Sequence, residues 1–199
     1  MEAAGPALAE FPAHAAGAAA ALARGLRLRA ATGGDLPFLR GLYASTRAAE
    51  LARVPWTEAM RAAFLGDQFA LQHRHWLGSY PQAGYLVMEH DGVPVGRCYV
   101  DFGWAVRDDA LLIDLALLPA AQGRGMGAAV LGHLLQRCER RGQAMVLHVL
   151  RANTGAQRLY RRFGFVTESD DGMRLRMRRP PGVAEPAGAS GVSDQLNSA

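Results

Sequence analysis

The chain is predicted to fold as a mixed α/β sheet, mostly antiparallel, with helices on both faces. Three observations carry this. Alternating apolar strands with few helices fill the first half, the signature of an antiparallel meander. One strand-helix-strand unit lies later, between Leu111 and Leu150, so one parallel pair is expected. A length of 199 residues, 50% hydrophobic and 20% charged, buries one core and does not favour a second domain.

Leu26 to Ala30 alternates as a first strand, and Asp35 with Pro37 marks a helix start that runs through about Thr46. Thr57-Glu58 opens a longer helix reaching roughly Leu77. Leu86 to His90, the turn Asp91-Gly92 and Val95 to Gly103 read as a hairpin, and Arg107-Asp108-Asp109 links it to the strand Leu111 to Leu118. From Gly125 to Arg141 an apolar face repeats at Val130, Leu131, Leu134, Leu135 and Cys138, and Gly142 ends that helix. Met145 to Leu150 follows as the parallel strand. A short helix runs from the N-cap Asn153 to the C-cap Gly164, and Phe165 to Thr167 and Met173 to Arg178 pair around Asp171-Gly172. No internal repeat is visible.

Residues 1–24 are rich in Ala, Gly and Pro, and 180–199 lacks periodic apolar residues. Both are expected as disordered tails around a domain of residues 25–179. Ala15 to Leu22 is too short for a membrane span, and a secretory signal is disfavoured by Glu2 and the lack of a basic segment before it. The expected setting is cytoplasmic, with no membrane partner. The net charge of +4 comes largely from arginine, with Arg158, Arg161, Arg162, Arg174, Arg176, Arg178 and Arg179 toward the C-terminal third. No aromatic-interleaved RNA motif accompanies them, so they read as a solvated face that attracts an anionic cofactor, and no nucleic-acid partner is expected. Cys98 and Cys138 read as small buried hydrophobes, and His73 and His75 diverge on a helix, so neither a disulfide scaffold nor a metal site is implied.

Chemistry concentrates in Gln122-Gly123-Arg124-Gly125-Met126-Gly127, which follows an apolar strand and opens an apolar helix. Glycines keep side chains away, so successive N–H groups and the positive helix end can hold a pyrophosphate. Gly123, Gly125 and Ala128 also match the dinucleotide fingerprint. In that fold, however, the first glycine follows its strand directly and a carboxylate closes the next strand. Here Pro119 to Gln122 intervene and the next strand ends in Leu150-Arg151, so an NAD-binding oxidoreductase is the weakest of the readings. A Gly-Lys-Ser/Thr is missing, which removes the P-loop.

A second motif follows, Asn153-Thr154-Gly155-Ala156-Gln157-Arg158-Leu159-Tyr160-Arg161-Arg162-Phe163-Gly164-Phe165. Together the two resemble the GNAT superfamily of N-acetyltransferases, whose signature is Q/R-x-x-G-x-G/A on one helix and N-x-x-A-x-x-x-Y-x-x-x-G-F on the next. Every named position is matched, and a looser resemblance runs from about Leu26 to Arg178.

The resemblance implies acetyl-CoA as co-substrate and a parallel pair, Leu111 to Leu118 with Met145 to Leu150, that splays to admit it. It implies that backbone amides of Leu115 and Leu117 hold the acetyl carbonyl and pantetheine arm. Amides from Gln122 through Gly123, Arg124, Gly125, Met126, Gly127 and Ala128 would bind the pyrophosphate, with Arg124 adding a charged contact or facing solvent. Asn153 would cap its helix and touch pantetheine. Tyr160 takes the family's place for protonating the departing thiolate, or packs as an amphipathic ring. Asp114 is the one carboxylate within its apolar strand, where it must be paired or carry a raised pKa suited to base work. His148 on the adjacent strand is the second candidate base, and water can relay the proton instead.

Acceptor choice is assigned by the resemblance to the N-terminal helices. Trp56, Phe64, Gln68, Gln72, His75 and Trp76 dominate there, and 64, 68, 72 and 75 share one helical face, as acceptor wall or as core. This wall has no acidic cluster, which argues against polyamines or lysine-rich tails. The expected activity is direct acetyl transfer in a ternary complex to a primary amine of a small molecule or peptide, by a monomer or a homodimer. Its rival is a non-catalytic acyl-CoA-binding module on the same fold.

Overall fold

Alternation along the strands divides the apolar residues between two sheet faces, and helices bury both. The computed structural model describes residues 8–12, 20–22, 25–104 and 109–182. Its strands are β1 (Ala20–Ala21), β2 (Leu26–Ala30), β3 (Gly84–His90), β4 (Val93–Trp104), β5 (Asp109–Leu117), β6 (Met145–Leu150), β7 (Val166–Asp170) and β8 (Arg174–Arg179). They form one sheet in the order β1-β2-β3-β4-β5-β6-β8-β7. Every pairing is antiparallel except that of β5 with β6. The helices are α1 (Leu36–Leu51), α2 (Glu58–Ser79), α3 (Met126–Arg141) and α4 (Thr154–Arg162).

On one face, α3, α4 and the α4 C-cap bring Val130, Leu134, Tyr160 and Phe163 onto Met88, Cys98, Leu112 and Leu147. On the other, α1 and α2 bring Leu39, Tyr43, Leu65 and Phe69 onto Tyr85, Val87 and Tyr99. The expected class is therefore observed, as is the expected element order from β2 onward, and β2 and β6 occupy the predicted residues. Helix α1 runs past Thr46 to Leu51, and the Ser45 and Thr46 hydroxyls within it donate to the Leu42 and Tyr43 carbonyls, both at 2.7 Å. The link at Arg107-Asp108 lies outside the described residues, as do residues 183–199 of the C-terminal tail.

Of residues 1–24, here the leader, 8–12 and 20–22 are described. Ala20 and Ala21 pair with β2, and Phe11 places its ring 4.9 Å from His73, 5.6 Å from Tyr85 and 6.5 Å from Tyr99. His73, buried in α2, shares a 2.7 Å hydrogen bond with the Ala9 carbonyl. An Ala-rich composition conceals this anchor because one aromatic, Phe11, supplies it. Burial, and beyond it the Arg97 charge, hold the His73 pKa below its usual value. Folding therefore favours neutral His73. Its contribution is present above about pH 6.5 and is lost as pH falls through the lowered folded pKa. The melting temperature of the native chain should thus fall more steeply below pH 6.5 than that of His73→Gln, measured by calorimetry across pH 4–8.

Candidate active site

Backbone geometry makes the cleft. Beyond Ala110, Leu111 and Leu112, which pair with Met145, Val146 and Leu147, β5 and β6 have no further partners in each other. At the same point the β4 ladder slips, with Tyr99 opposite Asp114 but Val100 opposite Leu112, so Ile113 is a bulge. Ala110 N–H donates to the Ala144 carbonyl on the β6 side at 2.8 Å, whereas Leu118 N–H donates to Val95 on β4 at 2.9 Å. Amides alternate sides along an extended strand. Before the bulge the even-numbered amides face β6, and after it the odd-numbered ones do, so Leu115 and Leu117 turn their N–H groups into the gap.

The loop after β5 closes back on it through Gln122 Nε2, which donates to the Leu117 carbonyl at 2.9 Å. Gly123 (φ 72°) and Gly125 (φ 81°) take the left-handed conformation that a side chain disfavours. Thr57 and Asn153 cap α2 and α4 with their side chains, but the N-cap of α3 is Gly125, which has none. The first closing bond of α3 is Ala129 N–H to Gly125 O, 3.0 Å. The amides of Met126, Gly127 and Ala128 thus lack a capping side chain at a positive helix end, the arrangement that attracts an anion. Arg124 is exposed between the glycines.

Asp114 is paired, and the partner is one the sequence did not disclose. Arg97, on β4 and only 3% exposed, donates Nε to Asp114 Oδ2 at 2.7 Å and Nη2 to Gln72 Oε1 at 3.1 Å. Its guanidinium lies 4.8 Å from the Trp76 ring and 5.3 Å from that of Tyr99. Burial works against its charge, but Asp114 and Tyr99 outweigh burial and raise the Arg97 pKa further. A lone arginine in an alternating strand reads as outward-facing. Only the cross-strand Asp114 and the α2 side chains show why it points in.

Strand parity puts Asp114 and His148 on the α1/α2 face of the gap, since their neighbours Leu115 and Leu147 belong to the α3/α4 core. His148 is exposed at the rim. The covered part of its ring, together with Arg176 and Arg174, holds its pKa below the usual value. Tyr160 lies on the opposite, α3/α4 face, 7% exposed and packed 5.7 Å from Phe165. Burial chiefly, then Asp114 and Cys98, raises its pKa, so the phenol keeps its proton through the neutral range. Gln157, also unforeseen, donates Nε2 to the Leu150 and Arg151 carbonyls at 3.1 and 2.8 Å, fastening α4 to the end of β6. Arg179, 1% exposed, fastens the other end by donating Nε to Phe163 O at 2.8 Å and pairing with Glu139 at 2.5 Å.

Residues 46–165 match the family model described as Acetyltransferase (GNAT) family. The chain belongs to the GNAT family. It is 35% identical over 111 residues to a Bacillus subtilis protein named putative ribosomal protein bS18-alanine N-acetyltransferase, covering 55% of this chain and 64% of that one. It is 41% identical over 61 residues to the ribosomal protein bS18-alanine N-acetyltransferase of Escherichia coli, covering 30% of this chain and 41% of that one. The chain thus spans less than two thirds of these curated relatives. Among solved structures, the PaiA N-acetyltransferase of Thermoplasma acidophilum in complex with coenzyme A shares the fold, with TM-score 0.60, 18% identity, and 78% and 98% of the two chains covered.

In this GNAT chain the expected acceptor wall is divided. The inward stripe of α2 is Leu65, Phe69 and His73, and of the wall residues it is Gln72 that reaches Asp114's partner, with Trp76 beside it. Trp56 and Phe64 form a separate pair, 4.9 Å apart, with Phe64 40% exposed. His75 is exposed and meets Ser79 at 3.4 Å, and Gln68 is half-buried. The difference is rotational: residues 64, 68, 72 and 75 flank the packed stripe, and Gln72, nearest β4, is the one that reaches Arg97.

Gly96 is a further residue the sequence did not single out. A Cβ there would lie 2.4 Å from the Ala116 carbonyl oxygen and 2.9 Å from Leu117 Cδ2. Backbone must move to admit it, at the strand end whose amides face the gap. Gly96→Ala should therefore weaken acetyl-CoA binding by about tenfold or more, about 1.4 kcal/mol, in a protein that stays folded by circular dichroism.

Proposed function

We propose that this protein transfers an acetyl group from acetyl-CoA directly to a primary amine, without a covalent intermediate. One observation carries the reading: a gap between β5 and β6, lined by the Leu115 and Leu117 amides, leads to the uncapped start of α3. That donor set fits a thioester carbonyl at one end and a pyrophosphate at the other. The amides of Gln122 to Ala128 would hold the phosphates, and Asn153 would orient the arm between them. When bound, acetyl-CoA supplies the carbonyl under attack and the departing thiolate.

The amine enters from the α1/α2 face. Asp114, held by Arg97, orients it by charge, while His148, whose lowered pKa leaves the imidazole neutral at pH 7, or a water takes its proton. Tyr160 meets the thiolate from the other face. Its raised pKa makes full proton transfer to a thiol of ordinary pKa, about 8.5, uphill, so hydrogen-bond donation to the developing charge is its main contribution.

The relatives named for a ribosomal-protein alanine favour the α-amino group of a protein or peptide over a free small amine. The partner is then an N-terminal segment starting with a small residue, met in the cytoplasm. Incubation with acetyl-CoA and peptides starting with Ala, beside a panel of small amines, tests this by thiol release and by the mass gain of one acetyl group. Acetylation of the peptides alone is the expected result. Modification of small amines only would replace the acceptor class, and tight acetyl-CoA binding without transfer to any amine would leave the binding-module reading.

A further inference from the structure

A cavity of about 520 Å³ opens between α1 and α2, lined by Leu8 of the leader, Leu36, Pro37, Ala44, Ala62 and Leu65, with Arg40, Arg61 and Glu58 as its charged residues. None of these belongs to β5, α3 or α4, so it is not the cleft described above. Its volume falls in the range that holds a small organic ligand, about 300–1,000 Å³.

Two features set the sign of that ligand. Arg61 Nε is buried with no hydrogen-bond partner, and neither Arg61 nor Arg40 forms an ion pair among the described residues. A buried donor without an acceptor is a net cost to the fold that an entering acceptor removes. In addition, Leu36 and Pro37 start the 16-residue α1, and Glu58 and Arg61 lie in the first turn of the 22-residue α2, so the positive ends of both helices adjoin the cavity. Glu58 offsets one of the two guanidinium charges, leaving a net positive wall around an apolar interior.

We propose that this cavity binds a carboxylate with an apolar body, of the medium-chain fatty-acid type, its head on Arg61 and Arg40 and its chain among Leu8, Leu36, Ala62 and Leu65. An amine of the same shape would place a cation beside two guanidinium groups. An alcohol would leave both charges unmatched.

Octanoate, octylamine and 1-octanol are titrated into the full chain by calorimetry, with and without saturating coenzyme A. Saturable octanoate binding is expected, at least about tenfold tighter than for the other two and unaffected by coenzyme A. Arg61→Met keeps the aliphatic stem and should weaken octanoate at least about tenfold while leaving the melting temperature equal or higher, because it removes an unpartnered polar atom. Ala62→Trp, filling the cavity from its wall, should abolish binding without touching either arginine. Equal affinity for octanol and octanoate, displacement by coenzyme A, or undiminished affinity in Arg61→Met would each overturn the assignment, as would no octanoate binding by the native chain.

Discussion

Tyr160→Phe should lower kcat about 10²-fold, or about 2.7 kcal/mol of transition-state stabilisation, with acetyl-CoA affinity nearly unchanged. The substitution keeps the ring against Phe165 and deletes only the hydroxyl, so packing alone forecasts no fall. The raised Tyr160 pKa adds a pH signature. Because the phenol remains protonated, native kcat should show no loss from its ionisation below about pH 10. An imidazole of lowered pKa in the proton-accepting role puts the acid limb of kcat/KM below pH 6.5, with activity rising as pH rises through it. Wild-type turnover in Tyr160→Phe, measured where chemistry is rate-limiting, would remove the tyrosine from the mechanism.

Asp114→Asn should cost about 3 kcal/mol or more of stability, because it strips the counter-ion from a guanidinium that is 3% exposed. For a domain of this length that is a fall of roughly 6–12 °C in melting temperature. The same result confounds the obvious test of Asp114 in catalysis, since lost activity could follow from a disturbed Arg97. Arg97→Met with Asp114→Asn resolves it. Met fills the space between Trp76 and Tyr99 without charge, so the double variant should recover most of the stability lost by Asp114→Asn. Its kcat/KM should remain depressed if the carboxylate orients the amine. Recovery of activity along with stability would show Asp114 to be Arg97's counter-ion and no more.

The legible parts of the candidate site are those made by neighbours in sequence. Gly123 and Gly125 adopt positive φ where their spacing implied close backbone approach, and Asn153 caps α4 by accepting from Ala156 N–H at 3.0 Å. What escaped was made across the sheet. The inward turn of Arg97 depends on Asp114, 17 residues away, and on Gln72, 25 residues away. The expected acceptor wall is divided for a related reason. Helical periodicity puts residues 64, 68, 72 and 75 together, but the rotation of α2 on the sheet decides which of them face β4.

By itself the sequence determined the element order from β2 onward, the glycine loop at the start of α3 and the tyrosine on α4. Capping, turn chemistry and apolar period are interactions within a few residues, and each leaves a local pattern. Only the tertiary structure decided that Ile113 bulges, that the Leu115 and Leu117 amides therefore turn into the gap, and that the leader docks through Phe11. Those outcomes depend on pairing and packing between distant segments, where a one-residue slip in register reverses every amide and side chain beyond it.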